Sequence, residues 1–238
     1  MENLKGKNIL LVGATGGIGF HCAKLLSSSQ ANLFLAGRNL EKLRNVAEIC
    51  KVPESRTCVV DITSASDMAN LQQRFFREFE TIDILINAAG MGMIKSFENL
   101  TEDDFTNTIQ NNLIGPFLLI REFIAAMKKE KKGLIINIPG VLGKVPMAGA
   151  AAYSASKYGL VGMMQCLREE VKRTEIRITN LFLGGADTPF WDSIDLKVQK
   201  DKMIQSEEAA KAIWFLCQQP SSAVINEMVL QPFNHQAI

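Results

Sequence analysis

The sequence predicts an α/β fold, with one doubly wound parallel sheet of about seven strands and helices on both faces. Short apolar runs alternate with longer amphipathic segments along the chain. Most of the short runs are apolar at every position, which is typical of strands buried on both faces. The chain has 238 residues, 47% of them hydrophobic, which is enough for one sizeable core. We therefore expect a single domain over residues 1–238.

Seven strands and six helices are expected in alternation. The predicted strands are Asn8–Val12, Asn32–Ala36, Thr57–Val60, Ile82–Ile86, Leu134–Ile138, Ile176–Leu183 and Met228–Leu230. The helical patterns lie near Ile18–Ser28, Leu40–Ile49, Ala65–Phe79, Glu102–Lys128, Ala152–Lys172 and Glu207–Cys217. Alternation of this length indicates βαβ units. Residues 188–206 fit neither pattern and are expected to form a mobile substrate flap.

Charge and hydropathy exclude several classes of function. The formal net charge is +1, which gives no electrostatic basis for binding nucleic acid or an anionic membrane. No apolar stretch reaches the roughly 18 to 20 residues that span a bilayer, and the first residues lack the apolar segment of a signal peptide. We therefore expect a cytoplasmic protein with no membrane association.

The cysteines and histidines argue against a disulfide frame and a metal site. The five cysteines are scattered, without a C-x-x-C pair, and are expected to be buried thiols in a reducing compartment: Cys22, Cys50, Cys58, Cys166 and Cys217. His21 and His235 are the only histidines, so neither a histidine-based triad nor a metal cluster is expected.

A glycine-rich loop lies between the first predicted strand and the first helix. Its sequence is Gly13-Ala14-Thr15-Gly16-Gly17-Ile18-Gly19. Glycines let the backbone turn sharply and approach a phosphate closely, and the helix N-terminus adds free N–H donors. This position predicts a nucleotide-binding turn.

Tyr153 and Lys157 are four residues apart, which places a phenol and an ammonium one turn apart on a helix face. A nearby cation favours the phenolate, so the pKa of the phenol should fall toward neutrality. Such a pair can exchange a proton with a carbonyl/alcohol couple. Taken alone, the pair could equally be a solvated surface pair.

Together these motifs resemble the short-chain dehydrogenase/reductase superfamily. The resemblance extends over nearly the whole chain. It rests on the G-x-x-x-G-x-G loop, Asp61, Asn87-Ala88-Ala89-Gly90, Asn112, and Tyr153 with Lys157. It implies a single-domain Rossmann fold and an oxidoreductase that transfers a hydride between a nicotinamide cofactor and a carbonyl/alcohol substrate.

The resemblance also implies how the cofactor is held. Asp61 would accept from the adenine amino group, beside the Ile62 backbone, although a helix-capping role for Asp61 is the alternative. Asn87, Ala88 and Gly90 would line the ribose, and Thr188 would bond the nicotinamide carboxamide. The glycine-loop residues assigned to the cofactor are Gly13, Thr15, Gly16, Gly17, Ile18 and Gly19.

The end of the second strand predicts NADP(H) rather than NAD(H). An acidic residue there would bind the ribose 2′-hydroxyl, but the sequence is Gly37-Arg38-Asn39. Arg38 offers a fork of donors suited to a 2′-phosphate, with Asn39 beside it. The alternative is that Arg38 merely ends the strand at the surface.

By resemblance, Tyr153 is the general acid in reduction and the base in oxidation. Lys157 would lower the pKa of Tyr153 and hold the nicotinamide ribose. Asn112 would support a water-linked proton path from Lys157, and Asn111 is the competing choice. The triplet Tyr153, Lys157 and Asn112 is therefore the expected catalytic set, with Tyr153 and Lys157 also contacting the cofactor.

One catalytic residue of the family is missing. The serine that polarises the substrate carbonyl would stand at Gly140, and neither Gly140 nor Pro139 carries a donor. Loss of one such donor typically slows an enzyme about 100- to 1000-fold. An active reductase, slow or with a substitute donor, is the favoured interpretation. The alternative is a non-catalytic NADP(H)-binding sensor or partner subunit. In a second departure, Leu183-Gly184 replaces the family's Pro-Gly.

Loops after the strands predict an apolar pocket for a hydrophobic ketone, aldehyde or alcohol without a strong counter-charge requirement. The residues assigned to it are Met91, Met93, Val145, Met147, Phe190 and Trp191. Similar proteins form homodimers or homotetramers through the middle helices. Phe117–Ile120 and Ala125–Met127 are compatible with such a face, and equally with a core.

Overall fold

The computed structural model describes residues 1–194 and 196–234, which form one Rossmann-like domain. Its strands are β1 (Asn8–Val12), β2 (Asn32–Gly37), β3 (Thr57–Val59), β4 (Ile84–Asn87), β5 (Lys132–Asn137), β6 (Glu175–Leu183), β7 (Ala186–Asp187), β8 (Ile204–Gln205) and β9 (Glu227–Leu230). The main sheet is parallel throughout, in the order β3-β2-β1-β4-β5-β6-β9. The short strands β7 and β8 pair separately.

The helices are α1 (Gly17–Ser28), α2 (Leu40–Ile49), α3 (Ala65–Glu78), α4 (Glu102–Ile109), α5 (Gly115–Glu130), α6 (Ala151–Val171) and α7 (Ser206–Cys217). Side-chain caps begin three of them. Asn39 caps α2, Ser64 caps α3, and Thr101 forms a capping box with Asp104 at α4. The single middle helix expected from the sequence is therefore α4 and α5, joined by the π-helical turn Gln110–Ile114.

Two apolar layers cover the sheet because successive side chains of a strand point to opposite faces. Ile9 and Leu11 of β1 pack under α1, α2 and α7, whereas Leu10 and Val12 pack under α3, α5 and α6. Phe75 lies at the centre of the second layer, with its ring centroid 5.5 Å from those of Phe34 and Phe123. Full burial of each such ring stabilises the fold by roughly 1.5–3 kcal/mol.

The strand order reverses between β1 and β4, so the loops after these two strands diverge and leave a crevice at the carboxyl edge of the sheet. Ligands of open α/β sheets bind at such a point. The loops after β5 and β6 and the segment between β7 and β8 reach the same edge, which places the motif residues around one region.

Some expectations need correction. The third strand ends at Val59, one residue before the predicted end, and the fourth strand begins at Ile84, two residues after the predicted start. Cys166 is exposed on α6, whereas the other four cysteines are buried. Burial raises the pKa of Cys22 to about 12, so that thiol stays protonated.

The apolar runs of α5 mostly serve the core. Leu118, Leu119, Ile120 and Met127 are buried, and Phe117 alone of the large side chains in these runs is well exposed. Most of the large side chains in these runs therefore pack into the core, which is the second of the two uses that their spacing allows.

Residues 188–206 contain short 3-10 turns at Pro189–Ser193 and Lys200–Lys202, followed by β8. We refer to residues 188–206 as the flap. Asp195 of the flap and His235, which were part of the expectations from the sequence, lie outside the described residues.

None of the helices in the described part of the chain is long and apolar enough to cross a bilayer. Within residues 1–194 and 196–234, no group of three or more His, Cys, Asp or Glu side chains is arranged to hold a metal ion.

Candidate active site

The glycine loop is folded tightly against the loop that follows β4. Gly13 has a φ of +87°, and a β-carbon there would lie 2.6 Å from the carbonyl carbon of Ala88. At Gly19 a β-carbon would lie 2.1 Å from the Gly13 oxygen. Only glycine fits either position. The helix α1 begins at Gly17, and the N–H groups of its first turn are unbonded within the helix.

The rest of the loop contacts both neighbouring segments. A β-carbon on Gly37 would lie 3.0 Å from Thr15, so the Thr15 side chain lies over the end of β2. Thr188, which follows β7, lies beside the first turn of α1, since a β-carbon on Gly17 would be 3.2 Å from its methyl group. The hydroxyl of Thr188 accepts from the Phe190 N–H at 3.3 Å. Thr188 therefore connects the flap, at its first residue, to the start of α1.

Arg38 and Asn39 lie at the exposed end of β2. The Asn39 side-chain oxygen accepts from the Lys42 N–H at 2.8 Å, so it is already engaged in capping α2. Arg38 makes no ion pair within the described residues, and its charge contributes to a lowered pKa of Asp61. The guanidinium is thus free, near a carboxylate at the adenine end of the expected cofactor site.

Asp61 organises the turn after β3 but does not cap a helix. Its Oδ1 accepts from the Thr63 N–H at 2.9 Å and from the Thr63 hydroxyl at 2.7 Å, and these two bonds are the main causes of its lowered pKa. Ser64 caps α3, so the capping alternative for Asp61 is wrong. Ile62 is buried and packs against Gly115 at the start of α5.

Buried amides brace the central strands. Asn87 of β4 donates to the Asn137 side chain of β5 at 3.2 Å and accepts from the Ala89 N–H at 3.3 Å. Asn180 of β6 continues the same row, because Asn137 is paired with it in the sheet register. Ala88 donates to Val12 at 2.9 Å, so the loop after β4 is fixed at the crevice.

Tyr153 and Lys157 lie on the buried face of α6. The Lys157 Nζ is 5.4 Å from the centroid of the Tyr153 ring and donates to the Ile138 carbonyl at 3.3 Å. Lys157 is only 4% exposed. A β-carbon on Gly90 would lie 3.4 Å from this Nζ, so the absence of a side chain at Gly90 keeps the ammonium accessible from the crevice. The surface-pair alternative is therefore wrong.

Burial dominates the titration of both groups. It lowers the pKa of Lys157 from 10.5 to about 8 and raises the pKa of Tyr153 well above its ordinary value of 10.0. The expectation that Lys157 lowers the pKa of Tyr153 is wrong for the protein as described, because the phenolate would be desolvated and the ammonium lies over the ring. At neutral pH Tyr153 is therefore a protonated phenol.

Asn112 lies in the π-helical turn and is fully buried. Its amide binds the Met91 backbone at both ends, accepting from the N–H and donating to the carbonyl, each at 2.9 Å. The Asn112 Oδ1 and the Lys157 ammonium both border the space that a side chain on Gly90 would fill. Asn111 instead bonds the Asn107 carbonyl on its own helix. Of the two asparagines, Asn112 is therefore the one that lies beside Gly90.

Gly140 faces Tyr153, as a carbonyl-polarising residue would. A β-carbon on Gly140 would lie 3.7 Å from the Tyr153 hydroxyl and 3.4 Å from the Leu183 carbonyl. The backbone there has a φ of +72° and a ψ of 167°, a conformation that essentially only glycine adopts. The loop after β5 has therefore taken a shape that the missing serine would resist.

A cavity of about 510 Å³ is bordered by Gly140, Tyr153 and Lys157. Phe190 of the flap covers it, with its ring centroid 5.7 Å from that of Tyr153. Phe190 fits there because Gly92 has no side chain, since a β-carbon on Gly92 would lie 2.5 Å from its ring. The motif residues that line the cavity are Ile18, Ala88, Gly90, Gly140, Tyr153, Lys157 and Thr188.

The predicted pocket residues are placed unevenly. Val145, Met147, Phe190 and Trp191 line the cavity, whereas Met91 and Met93 do not. Asn112 holds the Met91 backbone, which fixes this loop so that Ile94 lines the cavity instead. The flap was expected at the substrate, but its individual lining residues and those after β9 were not named from the sequence, namely Leu196, Val198, Gln199, Lys202, Met203, Gln231, Pro232 and Asn234.

The fold, the glycine loop and the Tyr153–Lys157 pair are typical of an α/β oxidoreductase. The sequence profile of the short chain dehydrogenase family matches residues 7–199, and the chain belongs to that family. An uncharacterized oxidoreductase of Staphylococcus saprophyticus is 30% identical over 243 residues, covering 98% of each chain. A sepiapterin reductase of Chlorobaculum tepidum is 29% identical over 236 residues, covering 95% of this chain and 96% of its own.

Solved structures agree with the fold. A metagenomic short-chain oxidoreductase in complex with NADP superposes with a TM-score of 0.82 at 29% identity, covering 97% of this chain and 99% of its own. An alcohol dehydrogenase of Thermococcus sibiricus, complexed with 5-hydroxy-NADP, has a TM-score of 0.88 at 21% identity, covering 98% of this chain and 100% of its own.

Proposed function

We propose that the protein is an NADP(H)-dependent oxidoreductase acting on a carbonyl/alcohol substrate. The observation that carries this proposal is that Tyr153, Lys157 and the glycine-loop residue Ile18 face one cavity. The structural neighbour bound to NADP supports the choice of cofactor. When bound, the nicotinamide supplies or accepts the hydride.

The residues present fit such a cofactor. Gly13 and Gly19 have no room for side chains, and the loop between them presents the N–H groups of the first turn of α1, which suit a pyrophosphate. Arg38 supplies an uncommitted guanidinium for a 2′-phosphate, and one oxygen of Asp61 remains for the adenine amino group. Lys157 and Thr188 are assigned to the nicotinamide end.

The chain's own chemistry at the substrate is a proton transfer. Tyr153 donates its hydroxyl proton to the oxygen of a carbonyl undergoing reduction and takes it back in oxidation. The phenol is protonated near neutral pH, so it holds the proton that a carbonyl reduction consumes. Lys157 and Asn112 flank the space beside Gly90, from which water resupplies the proton.

The alternative is an NADP(H)-binding protein without turnover, and the observation that favours it is the missing donor at Gly140. Under either function we propose a homo-oligomer in the cytoplasm. Loss of activity on removal of the Tyr153 hydroxyl separates the two functions, since a pure binder has no activity to lose.

The hydroxyl missing at Gly140 can be restored. We expect Gly140→Ser to reduce a generic diketone about 10- to 1000-fold faster than Gly140→Ala, because the two variants share the backbone strain and differ only in the donor. The strain itself should cost each variant roughly 1–3 kcal/mol of stability. Initial rates and melting curves measure both effects. Equal rates in two folded, cofactor-bound variants would show that position 140 does not face the substrate oxygen.

The role of Arg38 can be tested through the Michaelis constants of the two cofactors. We expect Arg38→Ala to raise the KM for NADPH roughly 10- to 100-fold and to leave the KM for NADH almost unchanged, since charge-assisted hydrogen bonds contribute about 1.5–3 kcal/mol. Arg44→Ala is the matched control, because Arg44 is also exposed and its one ion pair among the described residues is with Glu54 at 3.7 Å. An unchanged KM for NADPH would contradict the assignment.

A further inference from the structure

The cavity wall has an uneven charge. Lys157 and Lys202 are the cationic lining residues, and no lining residue in the described part of the chain is a carboxylate. The proposed reaction uses Lys157 but has no use for Lys202. An ammonium at the edge of an apolar cavity without acidic residues favours an anion at that place.

Lys202 is also unpaired, unlike its neighbour in the flap. Lys200 bonds Asp192 at 2.9 Å and lies 3.9 Å from Asp187. The Lys202 ammonium has no hydrogen bond or ion pair to any residue in 1–194 and 196–234. Its charge is therefore available to a ligand.

Gln231, which follows β9, supplies a second uncommitted donor. It lines the cavity, and its Nε2 is buried without a hydrogen-bond partner among the described residues. A buried amide donor that lacks an acceptor costs free energy, which an acceptor on a ligand would recover. Among residues 1–194 and 196–234, no hydrogen bond holds this carboxamide, so a rotation about its terminal C–C bond can present the N–H to the cavity.

Both donors belong to segments that meet at the end of β6. A β-carbon on Gly184 would lie 2.7 Å from Pro232 and 3.3 Å from the Cα of Gln231, and one on Gly185 would lie 3.7 Å from Met203. These glycines follow Leu183, whose carbonyl borders the space between Gly140 and Tyr153. One short ligand can therefore reach from Tyr153 toward Gln231 and the flap.

We propose that the substrate is an oxo acid, or the corresponding hydroxy acid, whose carboxylate is held by Lys202 and Gln231 while its carbonyl lies at Tyr153. This inference rests on the proposed function and names its substrate class. It departs from the expectation of an apolar substrate without a counter-charge, because neither Lys202 nor Gln231 was assigned to the pocket from the sequence.

The test compares oxo acids with their methyl esters. Wild type is assayed with NADPH and a series of aryl oxo carboxylates, with one to four carbons between the carbonyl and the carboxylate, each beside its neutral ester. The variants are Lys202→Met, Lys202→Arg and Lys197→Met, the last removing the same charge from an exposed flap residue that does not line the cavity. Binding of the acids and esters is measured in parallel by calorimetry.

We expect wild type to prefer one acid over its ester about 10-fold in kcat/KM, with the preference falling as salt is added. Lys202→Met should lose the preference, and Lys202→Arg and Lys197→Met should keep it. Equal values for every acid and ester, or a preference that survives in Lys202→Met, would overturn the inference. A higher KM for NADPH in Lys202→Met with the acid preference intact would overturn it too, assigning Lys202 to the cofactor.

Calorimetry separates this inference from the proposed function. If no compound is reduced, the proposed function fails, and the binding data alone decide about the carboxylate. Acid binding that weakens about 10-fold in Lys202→Met would support the carboxylate site, whereas absent or unchanged acid binding would reject it.

Discussion

Replacing Tyr153 by Phe is expected to lower kcat about 10²- to 10⁴-fold and to change the KM for NADPH far less. The change removes only the hydroxyl that exchanges the proton, and a well-positioned general acid contributes a factor of that size. The aromatic contact with Phe190 survives, because it depends on the ring and not on the hydroxyl. The rate of NADPH oxidation with an accepted ketone measures the effect.

The chain provides its own control for this change. Tyr158 is the only other tyrosine, lies on the same helix, is 45% exposed and does not line the cavity. Tyr158→Phe should therefore keep wild-type activity. Equal activity of the Tyr153 and Tyr158 variants would remove Tyr153 from the reaction, and tight NADPH binding without any turnover in wild type would favour the non-catalytic alternative.

Replacing Lys157 by Met should make the protein more stable and less active. Lys157 is buried, and the difference between a pKa of about 8 in the fold and the ordinary 10.5 corresponds to roughly 3 kcal/mol. Met fills a similar volume without a charge, and it forfeits the hydrogen bond to Ile138, worth about 1 kcal/mol. We expect a net gain of roughly 2 kcal/mol in the free energy of unfolding at pH 7.

The pH dependence of that gain identifies its cause. Because the pKa of Lys157 is lower in the folded state, the unfolded chain binds more protons between pH 8 and 10.5. Wild-type stability therefore rises relative to the variant over this range. The advantage of Lys157→Met should be full below pH 8 and should shrink as the pH approaches 10.5.

Urea unfolding at several pH values measures this difference. Lys172→Met is the control, since Lys172 is exposed and pairs with Glu169 at 2.7 Å, and its removal should have little effect. A Lys157→Met variant that is less stable than wild type at every pH would contradict a desolvated ammonium.

The fold was largely predictable because parallel strands buried on both faces leave uninterrupted apolar runs. Strands and helices were expected close to where they occur, apart from shifts at their ends and the π-helical turn. That turn contains Asn112 and has no counterpart in the apolar periodicity, since an uninterrupted α-helix would give nearly the same pattern.

The cavity was less predictable because it depends on contacts between distant segments. Motif residues such as Tyr153 and Thr188 could be assigned to it from local sequence. Gln231 could not, and Lys202 could be placed only within the predicted flap, since nothing in their local sequence indicates which strand end they meet. The raised pKa of Tyr153 was missed for the same reason, because burial is set by the flap and its neighbours and not by the spacing to Lys157.

The contact of Phe190 with Gly92 allows the substrate specificity to change without a substitution among the residues that react. Any side chain at position 92 would clash with the Phe190 ring and displace it from its place over the cavity. Bulkier substrates could then be admitted by a change at a residue outside the cavity wall, with the proton-donating phenol left in place. Selection or laboratory evolution acting there would alter what the protein accepts before it alters how the chemistry proceeds.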